Sequence, residues 1–227
     1  MTASLPQDPD ELFDVVDERG QPTGVVKRRA NVHRDGDWHR SVHVWVVGRH
    51  AGEAFILFQR RSAGKDIWPD MLDATAAGHL GVGESVTDAM REIEEELGIV
   101  PDLQGLRHIG TRFNVSEIAP DVLDREVQEV FLLRDDRPLH TYAPAVVEVA
   151  GLVQFPLDPL LALFRGDRER APGMVLNAAT GKVFRADIPP SEFIPVTDDY
   201  FARVADTARA LLRRDHQAPL EPAPNAW

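Results

Sequence analysis

The residues best suited to chemistry are three glutamates, Glu92, Glu95 and Glu96, in one short stretch of the chain. Their i, i+3, i+4 spacing places them on one face of a helix. Like charges at this spacing cost a helix roughly 0.2–0.5 kcal/mol per pair. A divalent cation would offset that repulsion, because Mg²⁺ and Mn²⁺ prefer the hard oxygens of carboxylates and phosphates. The spacing therefore indicates a metal-binding helix.

The sequence on either side predicts how this helix is held. A glycine-rich loop that begins at Gly78 leads into a helix predicted over residues 85–97. Ser85 or Thr87 can cap its start, and Gly98 stands at the left-handed C-cap position. The face opposite the glutamates carries apolar residues at the spacing of a buried stripe, namely Val86, Ala89, Met90, Ile93 and Leu97. We therefore expect one face of the helix to pack on a core.

Composition excludes several classes of function. The 227 residues are 43% apolar and 27% charged, as in ordinary globular proteins. We expect no membrane span and no secretory signal. The chain has no cysteine, which excludes disulfides and a cysteine nucleophile and fits a cytoplasmic protein. A net charge of −12 argues against broad nucleic-acid binding. We expect a small-molecule partner.

Alternating and continuous apolar patterns predict strands that are interrupted by a few helices. A mixed sheet with helices packed on its faces accommodates such an order. The predicted strands are 41–48, 54–60, 72–77, 106–115, 125–133 and 146–155, followed by a hairpin over 172–187, with helices over 85–97, 157–164 and 198–213. The pattern therefore favours an α/β (α+β) fold.

The stretch from Gly78 to Ile99 resembles the signature of the Nudix hydrolase family. The residues that match by type are Gly78, Glu84, Arg91, Glu92, Ile93, Glu95, Glu96, Gly98 and Ile99. Six residues, where the signature has seven, separate Glu84 from Arg91. The resemblance implies an α/β/α sandwich with a mixed β-sheet. It also implies metal-dependent hydrolysis of a diphosphate linked to another moiety, with Mg²⁺ or Mn²⁺ as the cofactor.

The resemblance also assigns roles to the signature residues. Glu95 and Glu96 are the first metal ligands to expect, Glu92 is the next, and Glu84 joins them from the loop. Glu92, Glu95 and Arg91 are the expected catalytic residues, with Arg91 orienting a signature carboxylate. A bound divalent ion would neutralise the charge of the diphosphate and acidify a water molecule.

With this family in view, we divide the chain into four parts. We expect residues 1–27 to form an N-terminal extension that includes a hairpin, and 28–165 to form the Nudix hydrolase domain. Residues 166–215 are expected to form a hairpin and a helix packed on that domain. The segment 216–227 contains three prolines and is expected to be a disordered tail.

A second set of residues resembles the isopentenyl-diphosphate isomerase branch of the same superfamily. That branch places two early histidines, a Gly-His and two later glutamates around one metal. The corresponding residues are His33, His39, His79, Glu126 and Glu129. For His33 and His39, a ligand role and a structural role are equally compatible with a polar loop. His43 lies in an apolar strand, which favours a hydrogen-bonded core residue.

The isomerase branch also suggests how substrate is bound and which reaction to expect. Arg61 and Lys65 resemble its diphosphate-binding pair, and His79 and Glu129 complete the expected substrate contacts. On a regular strand Glu126 and Glu129 point to opposite faces, and glutamates outside the signature that assist Nudix enzymes favour Glu129. The isomerase needs a cysteine as acid/base, and Ala77 stands in its place. We therefore expect hydrolysis.

Two other functions remain open from the sequence. One is an isopentenyl-diphosphate isomerase-like enzyme, and the other is a non-catalytic module that senses a diphosphate. The intact glutamate block favours an enzyme. Substrates that remain open are nucleoside diphosphate derivatives, sugar nucleotides, coenzymes and prenyl diphosphates. Because Nudix domains frequently pair, the resemblance is also compatible with a homodimer.

Overall fold

The computed structural model describes residues 10–65, 67–119 and 122–214. The tail predicted over 216–227 lies outside these residues. Eleven strands form one sheet within the described ranges. They are β1 (Leu12–Val16), β2 (Pro22–Arg28), β3 (Trp38–His50), β4 (Glu53–Arg61), β5 (Leu72–Asp73), β6 (Ala76–His79), β7 (Leu106–Ala119), β8 (Val122–Arg134), β9 (Val149–Pro156), β10 (Ala171–Asn177) and β11 (Val183–Ile188). The helices are α1 (Arg29–Asp35), α2 (Val86–Ala89), α3 (Arg91–Leu97), α4 (Leu157–Phe164) and α5 (Tyr200–Arg214).

Strand β3 is the centre of the sheet. It pairs antiparallel with β6 and then with β4 along one edge, and parallel with β8 along the other. The parallel register runs from Trp38 opposite Arg125 to Val47 opposite Arg134. The other strand pairs of the described residues are antiparallel. The main path of the sheet is β11-β10-β9-β4-β3-β1-β2, and β5, β6, β7 and β8 pair off this path. The predicted mixed sheet is therefore confirmed.

Alternation along β3 divides the core into two layers. Val44 and Val46 belong to a cluster that includes Ile93 and Leu97 of α3. Trp45 belongs to a second cluster that contains residues of α4 and α5. Because successive side chains of a strand point to opposite faces, these helices cover opposite sides of the sheet. The expected α/β/α sandwich is confirmed.

The glutamate helix is divided, where the sequence predicts one helix over 85–97. Segments α2 and α3 meet at Met90, which donates its N–H to Thr87 O at 3.2 Å. Its carbonyl accepts from Ile93 N–H, also at 3.2 Å, and such i→i+3 bonds tighten a helix locally. Ser85 and Asp88 form a reciprocal capping box at the start. The apolar stripe still packs on the core, with Ala89, Met90, Ile93 and Leu97 buried.

The segment after α4 packs on the same sheet. Hairpin β10–β11 extends the sheet beyond β9, and α5 lies against α4. Ile194 donates its N–H to Leu72 O at 3.0 Å, which ties the chain before α5 to β5. Among the helices of the described ranges, none has the length and apolarity that a membrane span requires.

Candidate active site

A cavity of about 500 Å³ is bordered by the glutamate helix and by one face of the sheet. Glu92, Glu95 and Glu96 all line it. Glu96 is almost fully buried and accepts hydrogen bonds from Ala77 N–H at 3.1 Å and from Gln59 Nε2 at 3.4 Å. Glu95 is the most open of the three, with 61% of its side chain exposed. The spacing in the sequence therefore does bring three carboxylates to one cavity wall.

Burial raises the pKa of two of these carboxyl groups. It raises the pKa of Glu96 to about 8, and the charge of Glu92 adds to the effect while Lys65 opposes it. Burial likewise raises the pKa of Glu92 to about 7, with Arg91 opposing and Glu95 reinforcing the shift. A divalent cation would favour the charged forms of both residues, so this donor set fits a hard metal ion.

Arg91 connects the loop to the glutamate face. Its Nη1 donates to Glu84 Oε1 at 2.8 Å, and its Nη2 lies 3.2 Å from Glu92 Oε1. Glu84 also accepts from Gly81 N–H at 2.8 Å, which fixes the loop. The structure thus places Glu84 behind Arg91 and outside the cavity lining, although the sequence predicts it as a metal ligand. Its contacts are those of a residue that holds Arg91.

Gly78 is packed directly against the glutamate face. A Cβ atom at this position would lie 2.4 Å from Glu92 Cδ and 2.6 Å from Glu92 Oε1. Such distances are far below contact, so only glycine lets strand β6 approach the carboxylate this closely.

The Gly78→Ala variant is expected to hydrolyse a diphosphate substrate about tenfold to a hundredfold more slowly, because displacement of a reacting group by about 1 Å costs on that order. The methyl group would drive Glu92 away from its position beside Arg91. Steady-state kinetics checks this, with Gly64→Ala as the matched control, since the nearest atom to a Cβ there is Ser62 Oγ at 3.8 Å. Equal loss in the two variants would contradict the packing argument.

A second cluster of metal-binding side chains lies beside the first. His33, His39 and His79 place their ring nitrogens within 4.8 Å of one another, and so do the ligand atoms of His39, Asp124 and Glu126. His79 Nε2 is 3.4 Å from Glu126 Oε1, and His39 Nε2 is 3.5 Å from Asp124 Oδ1. We call these five residues the histidine–carboxylate cluster.

Several atoms of this cluster lack a hydrogen-bond partner among the described residues. They are His33 Nε2, His39 Nε2 and Asp124 Oδ1, all of which are buried. Unpaired polar atoms in a core cost free energy, so native structures rarely leave them. Burial also lowers the pKa of His33 to about 4 and that of His79 to about 3, so both imidazoles are neutral, as metal ligation requires. The cluster therefore fits a divalent ion that takes nitrogen and oxygen ligands.

The structure places the two later glutamates in different surroundings. Glu126 belongs to the histidine–carboxylate cluster, whereas Glu129 accepts from Thr111 Oγ1 at 3.0 Å and contacts His108 Nε2 at 2.8 Å. Glu129 is not part of the cavity lining. The second carboxylate is Asp124, which the sequence reasoning missed. Its signal is present in the sequence, since 124, 126 and 128 are alternate polar positions of one strand face.

Arg61 and Lys65 both line the cavity, as their resemblance to a diphosphate-binding pair implies. Arg61 donates to Asp73 Oδ2 at 3.1 Å and to Ile67 O at 3.0 Å, and Lys65 pairs with Glu148. These contacts hold two cations on the wall formed by β4 and the loop after it. A diphosphate has enough oxygens to bind such a pair.

His43, expected as a core residue, is buried and hydrogen-bonded to Tyr200, and it also borders the cavity. Tyr200 and Arg112, which the sequence reasoning did not select, line the same cavity. The Arg112 guanidinium lies 4.2 Å from the centre of the Tyr200 ring and donates to Asp198 at 3.0 and 3.1 Å. The C-terminal segment therefore contributes to the candidate site.

Comparisons with known proteins agree with this geometry. The NUDIX domain model matches residues 37–174. An uncharacterised Nudix hydrolase of Clostridium acetobutylicum is 32% identical over 196 residues, which is 85% of this chain and 94% of that protein. The isopentenyl-diphosphate Delta-isomerase of Streptomyces griseus is 31% identical over 123 residues, covering 53% of this chain and 60% of the isomerase.

A solved structure supports the fold. The crystal structure of DR0079 from Deinococcus radiodurans superposes with a TM-score of 0.52 at 23% identity, covering 69% of this chain and 90% of that one. Nudix enzymes generally use divalent metal ions, and the two donor sets described above fit such ions. The sequence match, the fold and the glutamate helix lead to one conclusion: the chain belongs to the Nudix hydrolase family.

Proposed function

We propose that this Nudix hydrolase splits a diphosphate linked to another moiety and that it depends on Mg²⁺ or Mn²⁺. The observation that carries the proposal is one cavity that holds three carboxylates on its helix side and the cations Arg61 and Lys65 on its sheet side. The carboxylates suit a hard metal ion, and the cations suit the oxygens of the diphosphate.

The geometry suggests a specific role for each of these residues. Glu92, Glu95 and Glu96 would hold the ion, which supplies charge neutralisation and an acidified water when bound. Ala77 N–H fixes the orientation of Glu96, and Arg91 fixes that of Glu92. Arg61 and Lys65 bind and orient the diphosphate. Glu95 is the most exposed carboxylate and is placed to accept the proton of the attacking water.

The histidine–carboxylate cluster is the proposed site of a second divalent ion. Its mixed nitrogen and oxygen donors suit Mn²⁺ or Zn²⁺ better than Mg²⁺. Gly78 and His79 are adjacent in β6, so one strand links the glutamate site to this cluster. A substrate in the cavity would meet both sites, because His33, His79 and the three glutamates all line it.

Isomerisation is the second candidate reaction, since a relative named as an isomerase is 31% identical over part of this chain. It needs an acid/base group beside Gly78, and Ala77 has none. The N–H of Ala77 is instead committed to Glu96. Hydrolysis is the reaction that the side chains around the cavity support.

Phosphate or nucleotide release from a panel of diphosphates tests the proposed reaction. We expect turnover with Mg²⁺ or Mn²⁺, and its loss when EDTA removes the metal, because the ion neutralises the diphosphate. Release that EDTA leaves unchanged would refute metal dependence. Incubation of isopentenyl diphosphate in D₂O addresses the second candidate, because deuterium uptake without phosphate release would show an isomerase.

Two further properties stay predictions. We propose a cytoplasmic location because the chain has no cysteine, and a homodimer because Nudix domains frequently pair. Sedimentation of the purified protein measures the second, and a sedimenting mass near that of one 25.3 kDa chain would contradict it.

A further inference from the structure

One face of strand β3 connects the histidine–carboxylate cluster to the C-terminal helix. Alternate residues His39, Ser41, His43 and Trp45 share this face, with roughly 6.6 Å between successive members. His39 belongs to the cluster, and Trp45 lies in the core with residues of α5. Ser41 and His43 lie between these two ends, and both line the cavity. No metal or diphosphate role proposed above uses these two residues.

The Ser41 hydroxyl is a buried polar group that lacks a hydrogen-bond partner among the described residues. The residue is only 2% exposed. A buried hydroxyl without a partner costs roughly 1–3 kcal/mol. Because Ser41 faces the cavity, a ligand with a hydrogen-bonding atom would remove that cost.

His43 is hydrogen-bonded to Tyr200, the first residue of the C-terminal helix α5. Its Nδ1 lies 2.9 Å from the hydroxyl of Tyr200, which also accepts from Trp45 Nε1 at 3.0 Å. The indole N–H can only donate, so the Tyr200 hydroxyl accepts it and can direct its own hydrogen to His43 Nδ1. Burial lowers the pKa of His43, which favours the neutral ring. When Tyr200 donates to Nδ1, the hydrogen of that neutral ring resides on Nε2.

Resting on the hydrolysis proposed above, we propose that Ser41 and His43 bind the group attached to the diphosphate and that this group carries hydroxyls, as a sugar does. The Ser41 hydroxyl and the His43 Nε2–H are the two contacts. Tyr200 is a positioning residue, because it sets which nitrogen of His43 carries the hydrogen. The C-terminal segment thus becomes part of substrate recognition.

An apolar chain is the alternative for the group attached to the diphosphate, because Trp68, Ile194 and Val196 also border the cavity. An apolar chain would cover the Ser41 hydroxyl and the His43 Nε2–H and offer neither group a hydrogen bond. A site built to hydrogen-bond its substrate rejects an analogue that lacks those atoms by up to about 10⁴-fold. A hydroxyl-bearing ring can satisfy the polar wall and present an apolar face to the other side.

The test compares ADP-ribose and UDP-glucose with geranyl diphosphate as substrates of the full chain with Mg²⁺. We expect kcat/KM for at least one of the hydroxyl-bearing compounds to exceed that for geranyl diphosphate by at least about a hundredfold. Calorimetric binding to the Glu95→Gln protein gives the same ranking without turnover. Preference for geranyl diphosphate, or no binding of either hydroxyl-bearing compound, would overturn the inference.

Single substitutions test whether Ser41 and His43 cause the preference for a hydroxyl-bearing substrate. Ser41→Ala and His43→Leu are each expected to raise KM for the preferred compound about tenfold with little change in kcat, as loss of one hydrogen bond does. His43→Gln keeps an N–H near the Nε2 position and should recover to within about threefold of wild type. Binding of inorganic diphosphate should stay within about twofold. Ser62→Ala is the matched control, because its buried hydroxyl also lacks a described partner but does not line the cavity.

Nitrogen NMR of the histidine rings tests the role of Tyr200. We expect the Nε2–H tautomer of His43 in wild type and a changed tautomer ratio in Tyr200→Phe, together with a higher KM. Tyr142→Phe removes another buried tyrosine hydroxyl, outside the cavity, and should leave His43 unchanged. An unchanged tautomer in Tyr200→Phe would overturn the positioning role. If no panel compound is hydrolysed, the proposed reaction fails, whereas unchanged selectivity in the variants refutes only this inference.

Discussion

Replacing Glu95 by glutamine is expected to lower kcat for diphosphate hydrolysis about a thousandfold, within the range that loss of a general base and metal ligand produces. The amide is nearly isosteric, but it neither accepts the proton of water nor offers a charged oxygen to a cation. Glu95 is 61% exposed, so the substitution leaves the core and its packing unchanged. The loss should therefore appear in kcat, with little change in the midpoint of thermal unfolding.

Glu94→Gln is the matched control for this result. Glu94 is the exposed neighbour on the same helix, it carries the same charge, and it does not line the cavity. Its substitution should leave kcat within about twofold of wild type. Initial rates of phosphate release at saturating Mg²⁺ compare the two variants. Equal, measurable rates for wild type and Glu95→Gln would remove Glu95 from the chemistry.

The features that the sequence predicted well are those encoded by local spacing. Glu92, Glu95 and Glu96 share a face because i, i+3, i+4 spacing belongs to the helix itself. The buried stripe beside them follows from the same geometry, and Ile93 and Leu97 are fully buried as expected. The division at Met90 was not predicted, because i→i+3 bonding over one turn leaves the side-chain spacing almost unchanged.

Features that depend on strand pairing could be predicted only in part. Alternation indicated that Glu126 and Glu129 face opposite ways, but it could not indicate which face meets the cavity. That choice depends on the parallel register of β8 with β3, which places Glu126 opposite His39. The resemblance favoured Glu129, whereas the register places Glu126 beside the histidines. Asp124 enters the cluster for the same reason, since it shares the strand face of Glu126.

Contacts between distant parts of the chain had no local signal at all. His43 and Tyr200 are 157 residues apart, and Arg112 and Asp198 are 86 residues apart. A lone histidine in an apolar strand favours a core residue, and nothing nearby indicates its partner. The sequence therefore located the half of the cavity that the glutamates line, and tertiary packing alone revealed the half to which the C-terminal segment contributes.

The largest predicted effect outside the glutamate helix belongs to the histidine–carboxylate cluster. His39→Leu is expected to remove one equivalent of bound Mn²⁺ per chain and to lower kcat by about two to three orders of magnitude, since a catalytic metal supplies several kcal/mol. His39 is fully buried, stacks on Phe13 with ring centres 5.3 Å apart, and brings Nε2 within 3.5 Å of Asp124. Leucine retains the apolar contact and eliminates the ligand.

Metal content and thermal unfolding test metal binding by the cluster independently of activity. Wild type should gain about 2.7 kcal/mol of stability from this site when free Mn²⁺ is a hundred times the dissociation constant, and His39→Leu should lose that gain. Without metal, His39→Leu should be at least as stable as wild type, because leucine removes a buried nitrogen that has no hydrogen-bond partner among the described residues. His140→Leu, at an exposed histidine remote from the cluster, should match wild type in both conditions. Equal Mn²⁺ content in wild type and His39→Leu would show that the cluster is a structural polar network, because a structural role alone predicts loss of stability without loss of metal.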